Sequence, residues 1–320
     1  MKIKKRIGDI FRIFIGVSIL SLLILKLGVA EVLGVISNMN LYIVLLVLFS
    51  SLFIYFLASI NIKILINGLG EKISAFDSFK YYLPPYTLGL LTPGKVGNLS
   101  LLYFFKKNEI SYGKTLAVLV LDKLITYVVL SVIAIYGFFI FFEREAALQV
   151  TFYLILLLLL GVLLIRSKRA RRLIQDILLA KYAKSLEGFY RNLEFLLKHR
   201  KGRIALNASL TFGQWVLGAF VKYLIFLYFD VPVLFFAVLA INCMGAILAM
   251  LPVSISGLGI TEGSAVYLFY KIGVDPTITG GIFLFVTFMR YMVASAVLGF
   301  YGKEIKDVAI SSKKIFMDEY

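Results

Sequence analysis

One cysteine and one histidine among 320 residues remove several kinds of chemistry at once. Cys243 alone builds neither a disulfide framework nor a thiolate metal site, and reads as a packed residue in an apolar stretch. His199 stands between Lys198 and Arg200 and reads as a loop residue of the longest basic segment, with no second imidazole to share a metal. Acid is scarce as well: 18 Asp and Glu stand against 34 Lys and Arg, a net charge of +16. Charged residues make up 16% of the chain, against roughly 25% in a soluble domain. No H-E-x-x-H, G-x-S-x-G, Walker A or dinucleotide-binding glycine fingerprint occurs, so no ATPase domain and no cofactor is expected. The basic excess carries no zinc-finger or helix-turn-helix pattern, and its residues lie between long apolar runs, which argues against a nucleic-acid partner.

What is abundant is apolar surface. Hydrophobic residues are 61% of the chain, more than a water-facing fold can cover with polar groups. The fold class expected is an all-α, polytopic transmembrane helix bundle. Spans are predicted at 11–33, 41–60, 116–141, 148–165, 206–229 and 281–300, each near the ~20 residues that cross a ~30 Å hydrocarbon core. The N-terminal MKIKKRIGDIFR precedes an apolar run with no A-x-A-like cleavage site, so the first helix is read as uncleaved.

Basic loops set the sides. Lys2, Lys4, Lys5 and Arg6 place the N-terminus in the cytoplasm, and Lys303, Lys306, Lys313 and Lys314 place the C-terminus there too. The turns at 34–40 and 142–147 lack that excess and are assigned outside. Residues 166–203 are rich in Lys and Arg, with apolar residues every three or four positions (Leu173, Ile177, Leu186, Phe189, Leu193, Leu196). This reads as an amphipathic cytoplasmic helix pair, or one broken helix, within a single transmembrane domain spanning 1–320.

Both termini on one side require an even number of crossings, and two interrupted stretches must obey that parity. Residues 80–105 begin and end beside basic loops but are too short for two crossings, which predicts a re-entrant hairpin. Residues 233–272 satisfy parity either as a second hairpin, giving six crossings, or as two full spans, giving eight. Two hairpins would enter from opposite faces, the inverted arrangement of many transporters. Their breaks, built on Pro93, Gly94 and Gly97 in one and on Pro252, Gly257 and Gly259 in the other, free backbone groups that lipid cannot satisfy. Such breaks must be buried in protein or line a wet cavity, where amides at the start of a half-helix bind anions.

Ionisable residues inside apolar segments cost roughly 2.5–3.5 kcal/mol each on insertion scales and mark candidate sites. They are Lys95, the adjacent Asp122 and Lys123, Lys222, Glu262 and Arg290. Glu262 with Arg290, and Asp122 with Lys123, are equally readable as interior ion pairs that hold the bundle together. Lys222 shows no partner in the sequence and reads as a side chain that snorkels.

Pro93 to Asn98, Asp122-Lys123, the glycine-rich run from Pro252 to Glu262, Gly273-Val274 and Arg290 together resemble the lysylphosphatidylglycerol synthase transmembrane-region family, also described as flippase-like membrane proteins. The resemblance covers about residues 10–300. Relatives commonly carry an acid where this chain has Asn98, Glu-Arg where it has Asp122-Lys123, and an acid where it has Thr126. With 320 residues there is no room for the soluble aminoacyl-transfer domain of bifunctional synthases. The resemblance therefore implies a flippase- or scramblase-like transporter in the cell membrane, acting on an anionic phospholipid or polyisoprenyl-linked headgroup, and not lipid aminoacylation. On that reading Lys95, Asn98, Asp122, Lys123, Ser256, Thr261, Glu262 and Arg290 contact the headgroup, with Glu262 the candidate protonation switch. A membrane-embedded lipid-modifying enzyme and a non-transporting scaffold are the alternatives.

Overall fold

The computed structural model describes residues 2–166, 188–250 and 253–307. It is all helix, with no strand among the described residues. The long apolar elements are α1 (Lys2–Leu27), which continues after a bend into α2 (Val29–Ser37), then α3 (Leu41–Gly68), α6 (Tyr112–Phe141), α7 (Arg144–Arg166), α9 (Lys201–Tyr228) and α12 (Pro276–Phe300). Short polar residues start several of them. Asn40 accepts a hydrogen bond from the Ile43 amide at 3.0 Å, and Asp275 accepts from Thr277 and Ile278 at 2.8 and 2.9 Å. Pro276 follows at the first helical position, where its missing N–H costs nothing.

The expected span 11–33 is not one straight helix. Gly28 takes φ 88°, and the Phe11–Leu27 and Val29–Ser37 segments meet at 90°. The Phe11–Leu27 part of α1 is ~26 Å long, and α2 turns sideways onto α12, where Val35 packs on Gly281.

The helix ends sort onto two faces. On one, Arg200 Nε donates to the Gly68 carbonyl at 3.0 Å, capping the end of α3, and Arg203 donates to the Ile64 carbonyl one turn earlier at 3.0 Å. The helix α8 (Phe189–His199) lies there too, burying Phe189, Leu193 and Leu196 in a cluster with Ile66, Phe105 and Val118. His199 is the last residue of α8, with its ring stacked on Phe195, so it is not in a loop. The section of the predicted amphipathic pair at 167–187 lies outside the described residues, as do Lys313 and Lys314. On the other face, Tyr228 Oη donates to the Asn38 carbonyl at 2.9 Å and Lys271 Nζ to that of Phe141 at 3.1 Å. The first face gathers Lys72, Lys106, Lys107, Lys114, Lys198, Arg200 and Arg203 against Glu71, Asp77, Glu109 and Glu194; the second carries Glu31, Glu143, Glu145, Asp230 and Asp275 against Arg144 and Lys271.

Residues 75–106 form the first hairpin. The helix α4 (Ala75–Leu90) runs inward for ~24 Å. Pro84 and Pro85 sit inside it, and the break comes after it, at the Pro93, Gly94 and Gly97 of the sequence reading. A 3-10 segment, Pro93–Ser100, then reverses the chain through left-handed Gly94 (φ 60°) and Lys95 (φ 56°), and α5 (Leu101–Lys106) leads it back. Glu71, Lys72 and Asp77 at one end and Lys107, Asn108 and Glu109 at the other line a common cleft, and Glu71 pairs with Lys114. Both ends therefore lie on the basic face.

The second hairpin settles the alternative left by charge counting. Helices α10 (Phe235–Leu248) and α11 (Ile260–Lys271) are ~21 and ~18 Å long, short of a ~30 Å core. Val231, Val233 and Val274 at their outer ends share one cluster with Phe141 and Phe226. Both ends lie on the face opposite to the basic one, and among the described residues five helices (α3, α6, α7, α9 and α12) are long and apolar enough to cross, six where α1 with α2 counts as one bent span. Pro252 lies outside the described residues.

The two breaks share a backbone pattern. Thr92 (φ −120°, ψ 142°) and Ser254 (φ −125°, ψ 171°) are extended. Two residues on, Gly94 and Lys95 match Ser256 (φ 50°) and Gly257 (φ 79°) in the left-handed region. Each hairpin follows a 28-residue helix, α3 or α9. Each also precedes a further spanning helix, α6 or α12. The order helix, hairpin, helix thus occurs twice with opposite orientation. The tips touch one another inside the bundle, and α1 packs on the second tip through Gly16, beside Ser254 and Leu258.

Candidate functional site

Where the tips meet, α12 contributes Thr287 and Arg290, one turn apart on the same face. The α11 N-terminus contributes Glu262, which is 1% exposed. One carboxylate oxygen accepts from the Gly259 amide and the Thr261 hydroxyl, both at 2.8 Å; the other accepts from Thr287 Oγ1 at 2.5 Å. Glu262 therefore caps its own helix, where the free amides and the dipole favour a negative charge. It forms no direct ion pair with Arg290 among the described residues, although the two lie within electrostatic reach.

The Arg290 guanidinium has Tyr55, Tyr86 and Tyr291 around it, with its centre 5.7 Å from the Tyr291 ring. Tyr86 packs on Tyr55 at 4.4 Å and on Tyr82 at 5.9 Å between ring centroids. Arg290 Nε and Nη2 are buried without an internal acceptor. So are the lone hydroxyls of Ser254 and Ser256 and the side-chain oxygen of Asn98, which rests against Gly89. Lys95, exposed at the first tip, lies within electrostatic reach of Arg290 and Lys123.

Asp122 and Lys123 do form a pair, Nζ to Oδ2 at 2.9 Å. The other Asp122 oxygen accepts from Asn207 Nδ2 at 3.3 Å. That same amide lies 3.2 Å from the Asn61 carbonyl, and Asn61 donates to Thr211 at 2.9 Å. One polar network thus ties α3, α6 and α9 and holds the aspartate behind Lys123. Asn207→Ala removes the bridging donor from a fully buried position. It is expected to lower stability by ~2–3 kcal/mol, read as a lower thermal midpoint in detergent micelles. A change within ~0.5 kcal/mol would show that the network holds nothing.

Lys222 is no snorkelling side chain. Its Nζ donates to Asn242 Oδ1 at 2.8 Å across α9 and α10, lies 5.3 Å from the Phe283 ring, and is within electrostatic reach of Arg290 and Glu262. The structure thus brings Lys95, Asn98, Lys123, Ser256, Thr261, Glu262 and Arg290 towards one polar interior. Asp122 stands behind Lys123, while Gly94, Gly97, Gly257 and Gly259 shape the tips around them. The residues that sequence reasoning passed over are Tyr55, Tyr82, Tyr86, Asn61, Asn207, Asn242 and Thr287. All are neutral side chains inside apolar helices, and their only signal was polarity at membrane depth. Four cations (Lys95, Lys123, Lys222, Arg290) face two carboxylates (Asp122, Glu262), so the interior suits an anion.

No curated protein matches the chain. Its sequence matches the family described as the lysylphosphatidylglycerol synthase TM region over residues 10–297, which takes in both hairpins and every side chain of the site. That family places it among multi-pass membrane proteins of lipid metabolism and transport. The chain belongs to the lysylphosphatidylglycerol synthase transmembrane-region family.

Proposed function

We propose that the protein carries an anionic lipid headgroup between leaflets of the cell membrane, with the basic face and both termini in the cytoplasm. The observation that carries this reading is the Arg290 guanidinium, with two buried nitrogens and no internal acceptor, at the contact between two oppositely oriented hairpins. Buried charged donors cost several kcal/mol unless paired, so this arrangement is suited to a ligand that brings its own acceptors. A phosphate oxygen pair matches the planar fork of arginine. Lys95 and Lys123 add positive charge from the cytoplasmic half, and Lys222 adds it from the other. The acyl chains stay in lipid while the headgroup passes through the polar interior. Movement then runs down a gradient or with an ion. Glu262, held by the Gly259 amide and the Thr261 and Thr287 hydroxyls, acts by fixing the second tip.

The test is leaflet exchange of a labelled anionic phospholipid in liposomes containing the purified protein. Exchange is expected to exceed that of protein-free liposomes. Arg290→Ala should reduce it at least about tenfold, the loss of one charge-assisted contact, while the protein remains monodisperse. Equal rates with and without protein, or for wild type and Arg290→Ala, would sink the assignment. A change in the mass of the added lipid would instead identify a lipid-modifying enzyme.

A further inference from the structure

We infer, resting on the reading of this interior as a headgroup site, that α1 is its lateral gate: α1 swings about Gly28 away from the second hairpin tip, and the lipid enters and leaves through the seam between them. A headgroup whose acyl chains stay in the bilayer has to come in sideways, so some element of the bundle has to part from its neighbours.

Of the long helices, α1 is the most loosely held. α3, α6, α7, α9 and α12 each place side chains in one of three apolar clusters, and α1 places none of its described side chains there. Between Phe11 and Leu27 only Gly16 is buried, while Phe11, Phe14, Val17, Leu22 and Leu25 face outward. Few buried contacts mean a low cost of local opening. In a bilayer that cost falls further, since apolar side chains that leave protein meet lipid and not water. α2, by contrast, is fixed. Val32 is buried, Val35 packs on Gly281, and Tyr228 Oη donates to the Asn38 carbonyl at 2.9 Å. Between the loose helix and the fixed one stands Gly28 at φ 88°, where the chain bends by 90°. A few backbone angles at the end of an element absorb a hinge motion.

What α1 covers is polar. Beyond α2, its main packing partners are the second tip, α11 and α12. The contact with the tip runs backbone to backbone. A Cβ added to Gly259 would lie 2.9 Å from the Gly16 carbonyl oxygen and 2.9 Å from Ile19 Cβ, and one added to Gly16 would lie 3.3 Å from Ser254 Cβ. Two glycines seal the seam closely and leave no side chain of their own to be withdrawn when it parts. Ser254, against which Gly16 packs, is 1% exposed and its hydroxyl has no internal partner. Unsatisfied buried hydroxyls are rare in folded proteins and call for a partner. Thr261 and Glu262 of the site follow the same tip at the start of α11. Opening this seam therefore joins the polar interior to the lipid phase.

The experiment bridges the seam. A Cβ at Gly16 lies 3.7 Å from Leu258 Cβ, inside the ~3.5–4.5 Å range of disulfides. Gly16→Cys/Leu258→Cys adds one pair to a chain whose own Cys243 is buried. The double variant is oxidised in detergent, reconstituted into liposomes and read by leaflet exchange of a fluorescent phosphatidylglycerol, before and after dithiothreitol. The bridged form should exchange the lipid at least about tenfold more slowly than the same protein reduced, and neither single-cysteine variant should respond to oxidation. Gly16→Leu should act the opposite way. Its side chain has no room against Ser254 and Leu258, so α1 is held off the tip, and exchange should equal or exceed that of wild type. Failure of the pair to cross-link, equal rates for the bridged and reduced forms, or a folded Gly16→Leu variant without exchange would overturn the inference. Loading is read separately, as uptake of the same lipid from micelles by native mass spectrometry. No exchange in any form, with loading blocked by the bridge and restored by reduction, sinks the transport reading alone. Exchange that ignores the bridge sinks the gate alone.

Discussion

Gly97→Ala should abolish the first hairpin, and its effect should be the largest of any single methyl added to this protein. A Cβ at Gly97 would lie 2.2 Å from the Leu88 carbonyl carbon, 2.3 Å from its oxygen and 2.6 Å from the Gly89 nitrogen. These are backbone atoms of α4, so no rotamer change relieves the overlap. The hairpin has to open or α4 has to unwind. Either outcome should cost more than ~4 kcal/mol, the range of severe core lesions. Two companions make the reading specific. Gly94 has φ 60° but nothing within 4 Å of its added Cβ, so Gly94→Ala should cost only ~1 kcal/mol of backbone strain. Gly89→Ala would place its methyl 1.9 Å from Asn98 Oδ1, the end of a side chain, and Gly89→Ala/Asn98→Ala should recover most of the loss. Thermal midpoints in detergent micelles rank the four variants. If Gly97→Ala and Gly94→Ala melt together, the close approach of the two limbs is not what holds the tip. The consequence for the proposed site is direct, because this closure holds Lys95 within electrostatic reach of Arg290.

The spans were readable because a bilayer demands length and apolarity of each crossing, and both are properties of the sequence alone. The exception at Gly28 has a physical reason. A glycine inside an apolar run is ordinary in membrane helices, and only its backbone angle of φ 88° separates a bend from a continuous helix. The first hairpin was readable because 26 residues between two basic loops cannot cross twice. The second was not, because two crossings and none leave the same charge pattern outside them. Helix lengths of 14 and 12 residues decided it. The recurrence of the extended, left-handed, left-handed pattern was hidden for another reason. Thr92-Pro93-Gly94-Lys95 and Ser254-Ile255-Ser256-Gly257 share a conformation while placing their glycines differently.

The charged members of the site were legible because a charge in hydrocarbon is costly enough to stand out. Their partners were not. Asp122 next to Lys123 suggested a pair, and the pair forms, but Asn207 on a distant helix completes it. Glu262 and Arg290 suggested a second pair, which does not form; the carboxylate takes its hydrogen bonds from Gly259, Thr261 and Thr287 instead. Lys222 looked solitary because Asn242, its acceptor, lies on the far side of a turn in another helix. Neutral asparagine, threonine and tyrosine carry no such signal in one dimension, since each is tolerated in a membrane helix wherever it finds a neighbour.

Glu262 is where shape and charge are separated most cleanly. Glu262→Ala leaves the Gly259 amide and the Thr261 and Thr287 hydroxyls without their acceptor and opens a cavity at a position 1% exposed. The expected loss is ~3–5 kcal/mol, the sum of orphaned buried donors and a void. Glu262→Gln keeps the side-chain volume. Its one carbonyl oxygen can still take the Gly259 amide and the Thr261 hydroxyl, while its NH2 donates to a Thr287 hydroxyl that has turned round. What is lost is the charge at the α11 N-terminus, ~0.3–1 kcal/mol by the helix dipole. The glutamine variant should therefore melt close to wild type and keep at least about half of its leaflet exchange, and the alanine variant should lose both. A glutamine variant that is stable but as inactive as Arg290→Ala would give the opposite answer. The carboxylate would then act by changing its charge during transport, and the three hydrogen bonds around it would have to open in each cycle.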